Sequence, residues 1–136
     1  MKAKAIYLAL LFSALLLSLG CARIQAPEPA HQAAVLVLLD KAHTQSSSGQ
    51  LDDAGSSLER ALRIEPRNPM LWQELTRVRL GQGHYRQAEN LAAKSNSLAG
   101  EDRSLRAENW RLIGHARTKR GDLKGAQAAF ENAERQ

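Results

Sequence analysis

Gly49-Gln50-Leu51-Asp52-Asp53-Ala54, Gly83-His84-Tyr85-Arg86-Gln87-Ala88 and Gly121-Asp122-Leu123-Lys124-Gly125-Ala126 are three versions of one pattern. Their glycines lie 34 and then 38 residues apart. Each block stands between two stretches with helical patterning, which makes a helix–turn–helix unit. A fixed period in this range signals stacked supersecondary units, none of which can bury its apolar face alone. The expected architecture is all-α: a solenoid of three such units, about six helices. Curved stacks of this kind present extended surfaces that hold other proteins.

Counted outward from the glycines, the units run approximately over residues 35–68, 69–102 and 107–136, within a domain spanning 31–136. Ala54, Ala88 and Ala126 are small where the two helices of a unit must cross closely, because interaxial distance follows the size of the contacting side chains. Glu65-Pro66-Arg67-Asn68-Pro69 stops one helix and opens the next, with Asn68 as N-cap and Pro69 at the first helical position. Residues 103–106 are an insertion relative to the earlier period. Four residues are about one helical turn, so the helix they extend keeps its phase and is predicted over Asp102–Arg120.

These residues carry a resemblance to the tetratricopeptide repeat. Unit one matches the family pattern at Leu38, Ala42, Gly49, Leu51, Ala54, Leu58, Ala61 and Pro66. Unit two matches at Trp72, Leu75, Gly83, Tyr85 and Ala88, and unit three at Trp110, Ile113, Gly114, Gly121, Leu123, Ala126, Phe130 and Ala133. At those positions Trp72 and Trp110 are expected to pack in the core. Unit two departs from the pattern at its end, where Ala92 and Ser95 replace the small–aromatic–small sequence and no proline follows.

The resemblance also implies which residues line the inner face. These are Leu36, Leu39 and His43 from unit one, Met70, Gln73 and Arg77 from unit two, and Arg111, His115 and Lys119 from unit three. Such a groove would begin apolar and become basic toward the C-terminus. Family members that grip a carboxylate at the end of a chaperone use Lys, Asn and Arg at set positions. Here Leu39, His43, Glu74, Glu108 and Leu112 stand there, so that clamp is not expected.

Two further patches stand out. Ala33 to Leu39 is a run of seven apolar residues that one helix face cannot absorb. It reads either as a strip covered by the tether or a second copy, or as a docking surface. Arg103, Arg106, Arg117 and Arg120, with Arg111 and Lys119, form a basic stretch against the single acid Glu108. That is either a solvated helix face or a steering patch for an acidic partner.

The N-terminus speaks to location. Lys2 and Lys4 precede an almost unbroken apolar run from Ala5 to Leu19, too short for a spanning helix, and then Gly20 and Cys21. A basic start, a short apolar stretch and small residues describe an export signal over residues 1–20. Leu17-Ser18-Leu19-Gly20-Cys21 resembles a bacterial lipobox, which implies lipidation of Cys21. The alternative is an ordinary cleaved signal with an incidental cysteine. Cys21 is the only cysteine, so no intramolecular disulfide can form, and lipidation would remove a free exported thiol.

Ala22, where Asp would imply inner-membrane retention, points to the outer membrane and its periplasmic face. Residues 21–30, with Pro27 and Pro29, read as a lipidated N-terminus and a short extended tether. The reach of its Arg23–Ala30 part is about 25 Å. Removal of Lys2 and Lys4 lowers the net charge from +5 to +3. That mild balance and the expected compartment exclude nucleic acid as a partner.

The histidines His31, His43, His84 and His115 are scattered without metal spacing, and no phosphate loop or nucleophile motif is present. No cofactor, metal or catalytic residue is expected. The reading is a non-enzymatic adaptor, bound to the outer membrane through Cys21 and to another envelope protein through its groove. Its layout is similar to tetratricopeptide lipoproteins that activate bifunctional penicillin-binding proteins. An assembly factor or pilotin for a pilus or secretion machine is the alternative.

Overall fold

The computed structural model describes residues 28–136. The signal segment, Cys21 and residues 21–27 of the expected tether lie outside the described residues. Six helices follow in order: α1 (Glu28–Ser47), α2 (Leu51–Ile64), α3 (Pro69–Gly81), α4 (Tyr85–Leu98), α5 (Arg103–Lys119) and α6 (Leu123–Glu134). No strand occurs among the described residues. Packing is sequential: α1 on α2, α3 on α4 and α5 on α6, with α2 against α3 and α4 against α5. Helix α3 also touches α5, which brings alternate helices side by side.

The repeated glycines have one conformation. Gly49, Gly83 and Gly121 adopt φ of 76°, 77° and 81°, the left-handed region that costs a side-chain-bearing residue free energy. The hydrogen bonds repeat as well. Gln50, His84 and Asp122 each donate their backbone N–H to a carbonyl five residues back, on Gln45, Arg79 and Arg117, at 2.8, 2.8 and 2.9 Å. This is the helix-terminating bond of a Schellman turn, and it reverses the chain identically in each unit. Gly100, at φ 54°, takes over the interruption after α4, where no proline stands.

The starts of the helices follow local chemistry. Asn68 Oδ1 accepts from the Met70 N–H at 3.0 Å, with Pro69 beginning α3, as its sequence predicts. Asp102 accepts from the Leu105 N–H at 2.9 Å and Arg120 caps the other end of α5, so this helix has the extended span expected of it. One expectation is corrected. Residues 28–30, expected to be extended tether, are helical, because α1 begins at Glu28. Pro29 is tolerated in the first turn, where its missing N–H has no intrahelical acceptor.

Apolar burial is uneven. Val35, Ala42, Ala54, Leu58, Ala61, Leu62, Leu71, Leu75 and Val78 form one cluster across α1, α2 and α3. A smaller one gathers Ala92, Ile113 and Ala129, with Trp110 packed against it. Trp72 packs against the first cluster and donates its indole N–H to Pro66 O at 2.9 Å. In the last pair, Gly114 lets Phe130 lie directly on α5, since a Cβ there would come within 2.5 Å of the ring.

The left-handed turns supply a direct test. Gly83→Ala keeps the chain short of any side-chain clash but forces alanine into positive φ. Its unfolding free energy is expected to fall by about 1–2 kcal/mol, read from the urea midpoint at unchanged m-value.

Candidate functional site

The inner face is built by α1, α3 and α5, and its charges are already paired with one another. His43 Nε2 on α1 lies 3.4 Å from Glu74 on α3. Arg77, one turn further along α3, touches Glu74 at 3.6 Å and Glu108 of α5 at 3.0 Å. Arg111 closes the series on Glu108 at 3.1 Å. The sequence Glu74–Arg77–Glu108–Arg111 therefore crosses from α3 to α5 with alternating sign, and His43 of α1 lies beside its first carboxylate. The expected drift from apolar to basic is corrected accordingly. The two glutamates interleave the arginines, and the centre of the face is balanced.

The ladder separates two hollows. One, of about 430 Å³, is bounded by Ala42, His43, Ser46, Leu51, Glu74 and Arg77. The other, of about 330 Å³, is bounded by Met70, Gln73, Asp102, Leu105, Glu108 and Arg111. Met70, which borders the smaller hollow, is 56% exposed, and Leu36 on α1 is 64% exposed. Leu39 is half-buried, while Lys119 and His115 are exposed. The ring of His115 meets Phe130 edge-on at 5.4 Å between centroids, so this histidine is held by α6.

Gln73 borders the smaller hollow, yet its side chain is turned inward and only 6% of the residue is exposed. Its amide donates to Asn109 Oδ1 at 3.0 Å and, at 3.4 Å, to Leu105 O. Asn109 in turn donates to Ser95 Oγ at 2.8 Å, and Ser95 donates to Pro69 O at 2.7 Å. One buried polar chain thus ties α3, α4 and α5 together between the two apolar clusters. It also explains why unit two ends in serine: the hydroxyl at Ser95 completes the chain. Sequence reading missed Asn109 and Arg79. Arg79 lies in the space left by Gly55, where a Cβ would fall 2.7 Å from its guanidinium. From there it binds Glu59 at 2.5 Å and Gln82 at 2.7 Å.

The basic stretch is partly engaged within the fold. Arg117 and Arg120 both grip Glu89 of α4, at 2.5 and 2.8 Å. Arg106 donates to the Gln136 side chain at 2.8 Å and to Gly100 O. Arg103 and Lys119 are exposed and have no ion pair among the described residues. Arg117 and Arg120 thus brace α5 to α4, while Arg103, Arg111, Lys119 and Arg120 keep exposed surface along the stretch. The Ala33–Leu39 strip divides as its length requires: Val35 is buried, whereas Leu36 and Val37 remain exposed. No group of three or more metal-ligating side chains gathers among the described residues.

Three successive helix–turn–helix units with identical turns and an inner face of alternate helices define a repeat scaffold for protein contacts. The chain belongs to the tetratricopeptide repeat family, whose model matches residues 45–107. It is similar to the globular C-terminal domain of P. aeruginosa LpoP, at 44% identity and a TM-score of 0.73, over 74% of this chain and 95% of that one. It also resembles the N-terminal domain of stress-induced protein-1 (STI-1) from C. elegans, with a TM-score of 0.71 over 76% of this chain and 84% of that one. There the identity is 19%, so the likeness is one of fold. A comparison with curated proteins gives no match.

The two kinds of polar contact should respond differently to truncation. Asn109→Ala strands buried partners and is expected to cost about 1–3 kcal/mol of unfolding free energy. Arg77→Ala removes exposed ion pairs and should cost less than about 1 kcal/mol. Chemical denaturation of the two variants checks this order.

Proposed function

We propose that this protein is a non-enzymatic adaptor, anchored to the outer membrane by a lipid on Cys21, that activates a bifunctional penicillin-binding protein through its inner face. The observation that carries this reading is the 44% identity to the LpoP domain over nearly the whole of that domain. The lipobox-like Leu17–Cys21 segment and the layout of signal, tether and repeats support it. Both belong to tetratricopeptide lipoproteins of that activity.

The inner face suits such a task by its chemistry. Exposed Leu36 and Met70 offer apolar anchors, and desolvated apolar contacts carry most of the energy in protein interfaces. Around them the alternating ladder offers partners of both signs. A matching arrangement on the synthase would form the contact in one register, and mismatched charge would penalise others. Activation in this reading is a shift of the synthase toward its active conformation, which requires only that the adaptor bind that conformation more tightly.

Two measurements test the proposal. The purified protein is expected to raise both glycan polymerisation and cross-linking by a bifunctional synthase of the same envelope. Arg77→Glu combined with Arg111→Glu should raise the half-maximal concentration by roughly tenfold or more with unchanged circular dichroism. Absence of stimulation at saturating protein would overturn the activator reading. In cells, photo-crosslinkers at positions 77 and 111 should capture the synthase, and Cys21→Ala should move the protein from the membrane fraction to the soluble one.

A further inference from the structure

The face opposite the ladder carries a third hollow, which the adaptor reading does not use. At 100° per residue, Trp72 and Leu75 project from α3 on the side away from Met70 and Arg77. Leu62 and Arg63 of α2, Pro66 of the α2–α3 turn, and Gln87 and Leu91 of α4 complete an apolar depression of about 400 Å³ around them. Its floor is fixed by buried Leu62 and Leu75, while Trp72 and Leu91 are half-buried and Pro66 is exposed. The bond from the Trp72 indole to Pro66 O holds the ring in one orientation. A rigid aromatic wall with an apolar floor is the kind of pocket that receives a single anchoring side chain.

Two charged side chains line it, Glu59 and Arg63. Glu59 is engaged by Arg79 at 2.5 Å. Arg63 is exposed and has no ion-pair partner among the described residues. The carboxylate at this rim is therefore committed and the guanidinium is spare. A visitor that brings carboxylates gains charge-assisted bonds, whereas one that brings cations meets arginine.

We infer that this hollow is a second docking site, and that it takes a short acidic protein segment with one aromatic or large aliphatic side chain. The anchor enters between Trp72 and Leu91, and a flanking carboxylate meets Arg63. The site is independent of the inner face, so the protein can hold two partners, or two segments of one, on opposite sides of α3.

The indole N–H of Trp72 reports on the hollow directly by nuclear magnetic resonance, since the chain has two tryptophans and Trp110 lies in the other cluster. The full chain is titrated with acetyl-Glu-Glu-Phe-Glu-amide and with acetyl-Gln-Gln-Phe-Gln-amide. The expected result is a saturable shift of the Trp72 indole with the acidic peptide. Binding should weaken roughly tenfold for the neutral peptide and for Arg63→Glu, and Arg77→Ala should leave it unchanged. No saturable shift, equal binding of both peptides, or shifts confined to Arg77 and Arg111 would overturn the inference. A Trp72 response to phosphatidylglycerol vesicles without one to the acidic peptide would also overturn it, in favour of a lipid surface.

Discussion

The fold depends on how closely the two helices of each unit can approach, and three alanines set that distance. Ala54, Ala88 and Ala126 are 0%, 0% and 3% exposed. Interaxial separation follows the side chains at the contact, so a larger residue at any of them would push one helix pair apart. The turn glycines impose a second condition, because their shared left-handed geometry aims the returning helix the same way each time. Together these make three units alike enough to stack. Stacking then places α1, α3 and α5 on one side and leaves α2, α4 and α6 outside, and both candidate surfaces result from that division.

The buried chain Gln73–Asn109–Ser95 adds a constraint that apolar packing alone would not supply. Hydrophobic contact is tolerant of sliding, whereas a hydrogen-bonded chain between helices is satisfied in one register. If α5 slipped by a turn along α3, Asn109 would leave both its partners, and each stranded buried group would cost about 1–3 kcal/mol. The seam between units two and three is thus the place where specificity is bought with polar groups. Arg117 and Arg120 on Glu89 fasten the same seam from its other end. This bracing keeps Glu108 and Arg111 opposite Arg77, and so maintains the ladder across the inner face.

Much of this was legible in the sequence where the cause is local. The turn glycines, the Asn68–Pro69 start and the Asp102 start of α5 are each decided by a few neighbouring residues. What resisted reading was decided between units. Gln73 occupies a position that lines the groove in the family, yet Asn109 lies 36 residues away and draws it inward. The basic stretch reads as uniform along one helix, while the carboxylate that pairs with two of its members stands on α4. The ladder as a whole was likewise hidden: Glu74–Arg77 and Glu108–Arg111 are pairs within one helix, but Arg77 reaches Glu108 only when α3 and α5 lie side by side. Polar partnerships at long sequence separation have no periodic signal, and only the assembled stack reveals them.

Helix α3 occupies a particular place in this arrangement, because both surfaces share it. Met70 and Arg77 face the ladder, and Trp72 and Leu75 wall the outer hollow. Its ends are held firmly: Asn68 caps the start, and Gln82, just past the end, donates to Asp52 of α2 at 2.6 Å while accepting from Arg79. Ligands on the two sides could influence each other only by moving this helix, and moving it would break the buried chain at Gln73. A device that transmitted a signal from one face to the other would need an element with two arrangements of similar free energy. A helix pinned at both ends and in the middle has one. Docking at the two faces, as proposed, would therefore be independent, and any gain from engaging both would come from effective concentration, with no change of shape required.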